Sequence, residues 1–106
     1  MFKTYLIHDE NTTYIAIFNG EGEYILDRFD DEALNVDGVA VDDYGNMEDY
    51  FEAILRRAVE LDEYDAGMYW TNCAGGIAEI ETADDIDDVL ERVWWSKGYH
   101  ATYTEV

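Results

Sequence analysis

Near the N-terminus, residues 2–8 (FKTYLIH), 13–18 (TYIAIF) and 23–29 (EYILDRF) are dense in β-branched and aromatic side chains. Asp9-Glu10-Asn11 and Asn19-Gly20-Glu21-Gly22 separate them, a pattern that predicts an antiparallel meander of three strands. Residues 30–45 (DDEALNVDGVAVDDYG) lose the alternation and read as an acidic loop with a short irregular strand near Val39–Val41. The period then changes. Met47, Tyr50, Phe51, Ile54, Leu55, Ala58 and Leu61 recur at helical spacing, with Asn46 placed to cap the start and Glu48 and Asp49 in the first turn. Glu48, Asp49, Glu52, Arg56, Glu60 and Glu63 lie opposite that apolar face. Arg56, four residues from both Glu52 and Glu60, is expected to be neutralised within its own helix.

Residues 67–71 (GMYWT) and 77–81 (IAEIE), flanking Asn72-Cys73-Ala74-Gly75-Gly76, predict a second hairpin. Thr82 is then placed to cap a second helix, with Asp85 at its third position and Ile86, Val89, Leu90, Val93 and Trp94 as the buried stripe. Gly98 is suited to ending that helix, and residues 99–106 (YHATYTEV) alternate as a last strand. The predicted order is β-β-β-α-β-β-α-β. This is an α+β fold in one domain over residues 1–106, with five to six antiparallel strands and two helices against one face of the sheet.

Composition changes the picture mainly through charge. Aromatics make up 15% of the chain, too many for an acidic disordered segment, so the acids are expected to sit on a folded core. Twenty-six acidic residues oppose six basic ones, a net charge of −20, where about 2–8 in magnitude suffices to keep a small domain soluble. The excess costs stability by self-repulsion, and it should repel nucleic acid and anionic membranes while attracting basic proteins. No apolar run approaches the roughly 18 residues of a membrane span, and the N-terminus lacks the apolar core of a signal peptide. Cys73 is the only cysteine, which excludes an internal disulfide and fits a reducing cytoplasm.

Catalytic patterns are scarce. Ser96, the single serine, has no Gly-x-Ser-x-Gly context, and Cys73, His8 and His100 show no spacing of a nucleophilic dyad. An EF-hand loop ending its turn at Gly38 would start at Ala33, and one using Gly45 would start at Ala40; neither start is an acid. An irregular cation site within residues 30–45 stays open. Gly75-Gly76 is too short for a phosphate loop, and six scattered bases cannot form a nucleic-acid groove. The expectation is a protein with no enzymatic activity, no cofactor and no metal.

The acids therefore carry the reading. Asp84, Asp87, Asp88 and Glu91 form a row at helical spacing, and Trp95, one turn from Glu91 and two from Asp88, is a candidate interface anchor. Glu48, Glu52, Glu60 and Glu63 form a second row, and Asp30, Asp31, Glu32, Asp42 and Asp43 add charge from the loop. DNA carries about one charge per 1.7 Å of axis counting both strands, so such rows can imitate a phosphate track.

In size, charge and tyrosine-rich composition the whole chain resembles the small acidic DNA-mimic proteins of phages and mobile elements, the anti-CRISPR, anti-restriction and uracil-DNA glycosylase inhibitor proteins. The likeness is one of kind, without a shared motif. It implies a phage-type inhibitor in the host cytoplasm, whose acidic surface fills the nucleic-acid groove of a Cas effector, restriction enzyme or nuclease. A homodimer would lengthen the carboxylate track. Two further readings remain: an immunity protein or antitoxin covering a basic nuclease toxin, and a halophilic housekeeping domain whose acids are a solvation shell.

Overall fold

The computed structural model describes residues 1–10, 12–28, 38–61, 66–74 and 79–106. Strands β1 (Lys3–His8), β2 (Thr13–Phe18) and β3 (Glu23–Arg28) form the expected meander, paired Tyr5↔Ala16 and Ile17↔Ile25 at its centre. The β2–β3 turn is set by Asn19, whose side-chain oxygen accepts from the Glu21 amide at 2.8 Å. Gly20 takes a φ of 86° there, and a Cβ on it would lie 2.8 Å from the Met1 carbonyl oxygen. Helix α1 (Met47–Glu60) starts as predicted, with the Asp49 amide donating to Asn46 Oδ1 at 2.9 Å.

Two expectations fail in the middle of the chain. Residues 67–71 are not a strand but part of helix α2 (Ala66–Ala74), which also holds Cys73. Ala66, Tyr69 and Trp70, at i, i+3 and i+4, pack on the core, a helical period that outweighs the β propensity of Tyr and Trp. The partner strand shrinks to β4 (Glu81–Thr82), which pairs with β3. The Val39–Val41 strand is likewise absent, and Val41–Asp43 form a 3-10 turn before α1.

Thr82 belongs to β4, so helix α3 (Ile86–Val93) begins later than predicted. Asp85 is its N-cap, accepting from the Asp88 amide at 2.9 Å. A 3-10 turn, Trp95–Lys97, continues α3 and ends at Gly98 in the left-handed conformation, as predicted. Strand β5 (Thr102–Glu105) then pairs with β1, giving one antiparallel sheet of order β4-β3-β2-β1-β5.

The helices cover both faces of the sheet, not one. Tyr5, Ile7, Ala16, Phe18 and Tyr24 pack with Ile86, Val89, Leu90 and Trp94 of the α3 segment. Their strand neighbours Leu6, Ile15, Ile17 and Ile25 pack with Ile54, Leu55 and Ala58 of α1 and with α2. Successive strand residues point to opposite faces, so an unbroken apolar run such as Ile15-Ala16-Ile17-Phe18 requires cover on both.

Replacing Asp85 by Ala is expected to lower unfolding free energy by about 1 kcal/mol in denaturant titration. Thr82→Ala is expected to change it by less than ~0.5 kcal/mol. The reverse order would restore Thr82 as the cap.

Candidate interaction surface

The acids of α3 divide by what they do locally. Asp88 is held by the fold. Arg92 donates to it through Nη2 at 2.7 Å and Nε at 3.2 Å, and the Asp84 amide donates to Asp88 Oδ2 at 3.1 Å. The same Arg92 donates from Nη1 to the Thr82 carbonyl at 2.8 Å, tying α3 to the β4 edge. The Arg92 guanidinium, and after it the Asp84 amide, holds the Asp88 carboxyl below its ordinary pKa. Asp84, Asp87 and Glu91 are exposed, and their carboxylates accept no hydrogen bond and make no ion pair among the described residues.

Trp95 serves both packing and surface. Its indole N–H donates to the Ala101 carbonyl at 2.9 Å, while the residue stays 42% exposed. With Gly98, Tyr99, His100 and Ala101 it lines a shallow depression of about 450 Å³. Trp94, beside it, is buried and donates to Asp9 Oδ2 at 3.2 Å.

Strand β5 joins this side of the molecule. Tyr103 pairs with Ile7 and Glu105 with Tyr5, and both partners face α3, so Tyr103 and Glu105 do too. The Tyr5 and Tyr103 rings meet edge to face at 5.7 Å. Burial raises the Tyr5 phenol pKa, and the neighbouring charges of Glu105, Asp85 and Asp87 raise it further. Arg92 reaches the β4 edge on the other side of α3. Tyr103 and Glu105 are not among the predicted surface residues, although their i, i+2 spacing in the last strand marks a shared face.

The α1 acids lie in the opposite layer. Glu52 pairs with Arg56 at 2.6 Å, as expected, but Glu60 pairs with Arg57 at 2.8 Å rather than with Arg56. One helical turn of three residues lets Arg57 reach Glu60 directly. Asp42 and Asp43 are exposed in the 3-10 turn that precedes α1, and Glu48 lies in the first turn of α1. The predicted helical rows therefore do not merge into one track, because the sheet stands between them. Glu63, Asp30, Asp31 and Glu32 lie outside the described residues. So do residues 30–37, the first half of the candidate cation loop.

Several other acids serve the fold as acceptors for aromatic donors. Tyr24 donates to Glu81 Oε2 at 2.7 Å, and burial together with that bond pushes its phenol pKa far up. Tyr69 donates to Asp27 Oδ2 at 3.1 Å. Among the described residues, no group of three or more His, Cys, Asp or Glu side chains is placed to hold a metal ion. No helix there is long and apolar enough to cross a membrane.

The depressed Asp88 pKa fixes the sign of a pH effect. Its contribution to stability is present above the unfolded carboxyl value, about 4, and is lost as pH falls through the lower folded value. Thermal unfolding should therefore place Asp88→Asn below the wild type at neutral pH, with the two midpoints converging as the solution is acidified below pH ~4. A gap that persisted unchanged at low pH would remove the ion pair as its cause. Searches of family models, curated proteins and solved structures found nothing that matches this chain.

Proposed function

We propose that this protein is a non-enzymatic inhibitor whose acidic surface stands in for DNA in the nucleic-acid groove of a basic host defence protein, such as a CRISPR effector or a restriction enzyme. The observation that carries the reading is the row Asp84, just before α3, with Asp87 and Glu91 on it, all exposed and without a side-chain bond or ion pair among the described residues. At net charge −20, carboxylates without a bonded partner cost stability through repulsion, and a cationic partner would recover that cost on binding. Asp87 and Glu91, one turn apart on α3, have Cβ atoms about 5–6 Å from each other, which allows one carboxylate per phosphate-like position. Trp95, at the end of the row and anchored to Ala101, offers a rigid aromatic contact beside the charges. Because α1 occupies the opposite layer, α3 and its surroundings are assigned the groove-facing role.

The cytoplasm is the compartment this function requires. Long-range attraction would make association fast and strongly salt-dependent. A basic DNA-binding protein captured from a bacterial lysate supplies the partner for a direct comparison of faces. The triple variant Asp84→Asn, Asp87→Asn, Glu91→Gln is expected to weaken the complex about tenfold or more, against less than about twofold for Glu52→Gln with Glu60→Gln. Equal affinities for all three proteins would overturn the assignment to α3. A wild-type chain that folds only in molar salt would mark the acids as a solvation surface instead.

A further inference from the structure

The two edges of the sheet are not equivalent. At one, β4 is two residues long, and the Thr82 carbonyl is taken by Arg92. At the other, β5 has four residues, and its register with β1 shows which backbone groups are spent. The Val106 amide donates to the Thr4 carbonyl at 3.0 Å, which makes Thr4 and Val106 a hydrogen-bonded pair. Bonded and non-bonded pairs alternate along an antiparallel ladder. Thr104 and Thr102 therefore also turn their N–H and C=O groups toward β1, whereas Tyr103 and Glu105 turn theirs outward. Among the described residues nothing pairs with those outward groups. The Ala101 carbonyl just before the strand is occupied by the Trp95 indole, so the open stretch begins after it.

We infer that the outward edge of β5 is a docking site for one extended segment of a basic partner, which adds to the sheet as a sixth strand bearing Lys or Arg at alternate positions. This rests on the proposed binding to a basic protein and specifies how the partner attaches. Unpaired strand edges are templates for such addition, with main-chain bonds giving affinity and alternate side chains giving selectivity. The residues of an incoming antiparallel strand that lie opposite Tyr103 and Glu105 would point to the α3 face. There they meet the Glu105 carboxylate and Tyr103, a residue 41% exposed. A cation at those positions gains both an opposite charge across the strands and a ring face. Residues between them would lie beside Thr102 and Thr104 on the other face, where small β-branched side chains fit. Tyr99 and Trp95 stand exposed at the start of the strand and bound the site. A second copy of this chain is disfavoured as the occupant, since it would bring another −20 charge and set Glu105 near its own equivalent.

The probe is an acetylated, amidated peptide of alternating Lys and Thr, compared with the same peptide N-methylated on every lysine. Methylation keeps the charge and removes the amides that would face β5. Calorimetric titration is expected to show the unmethylated peptide binding about tenfold or more tightly, the equivalent of one to three net hydrogen bonds. On the protein side, Glu105→Pro and Glu105→Gln lose the same charge, and only proline removes an outward amide, one the ladder to β1 does not use. Glu105→Pro is expected to bind about tenfold more weakly than Glu105→Gln at similar thermal stability, with the Tyr103 and Glu105 amides of the wild type gaining exchange protection in the complex. Equal binding of the two peptides would overturn strand addition while leaving charge-driven inhibition standing. Absence of binding by either peptide at low salt would overturn it as well, and the inhibitor reading would then be judged by DNA competition alone. Protection of the same two amides by self-association in the absence of peptide would assign the edge to a homodimer instead.

Discussion

Burial of β2 on both of its faces organises the whole molecule. Ile15 and Ile17 point into one layer and Ala16 and Phe18 into the other, and all four are buried. A fully buried aliphatic or aromatic side chain contributes about 1.5–3 kcal/mol relative to an exposed one. A chain with net charge −20 needs such a core to offset its own repulsion. That need dictates the connections: α1 and α2 return the chain to the β3 edge over one face. The α3 segment then carries it over the other face to the β1 edge.

Within this frame the acids fall into two populations. Asp9, Asp27 and Glu81 accept from the polar ends of Trp94, Tyr69 and Tyr24, so large aromatic side chains can pack inward without a stranded donor. Asp85 and Asp88 build the start of α3, and Glu52 and Glu60 hold arginines of α1. Each of these has a structural use independent of any partner. Asp84, Asp87 and Glu91 accept no hydrogen bond and make no ion pair among the described residues, and they lie on the side of the sheet that also carries Trp95, Tyr103 and Glu105. A few carboxylates, rather than total charge, therefore distinguish this surface.

The first meander, α1 with its Asn46 cap, the α3 stripe and the Gly98 terminus were legible in the sequence because period, cap and turn residues agreed there. Helix α2 was not, because Tyr69 and Trp70 favour strands in isolation and only the core shows that Ala66, Tyr69 and Trp70 share a helical face. Two-sided cover was written in the unbroken apolar runs of β1 and β2, but alternation in neighbouring strands concealed it. The α3 acids were legible as a row. The loss of Asp88 to Arg92 was not, since that pair depends on where Thr82 ends and the helix begins. The separation of the α1 and α3 acids by the sheet could not be read without knowing that the sheet is covered on both faces.

The proposed role puts this acidic face in the place of DNA on a basic protein. Competition on a preformed complex tests it most directly. The complex of this chain with a captured DNA-binding protein is titrated with the partner's duplex DNA at constant ionic strength, and release of the acidic chain is measured. Stoichiometric release with a midpoint that rises in proportion to the concentration of this chain is the predicted result, since the two ligands would share one groove. Retention of the chain alongside bound DNA would contradict the claim.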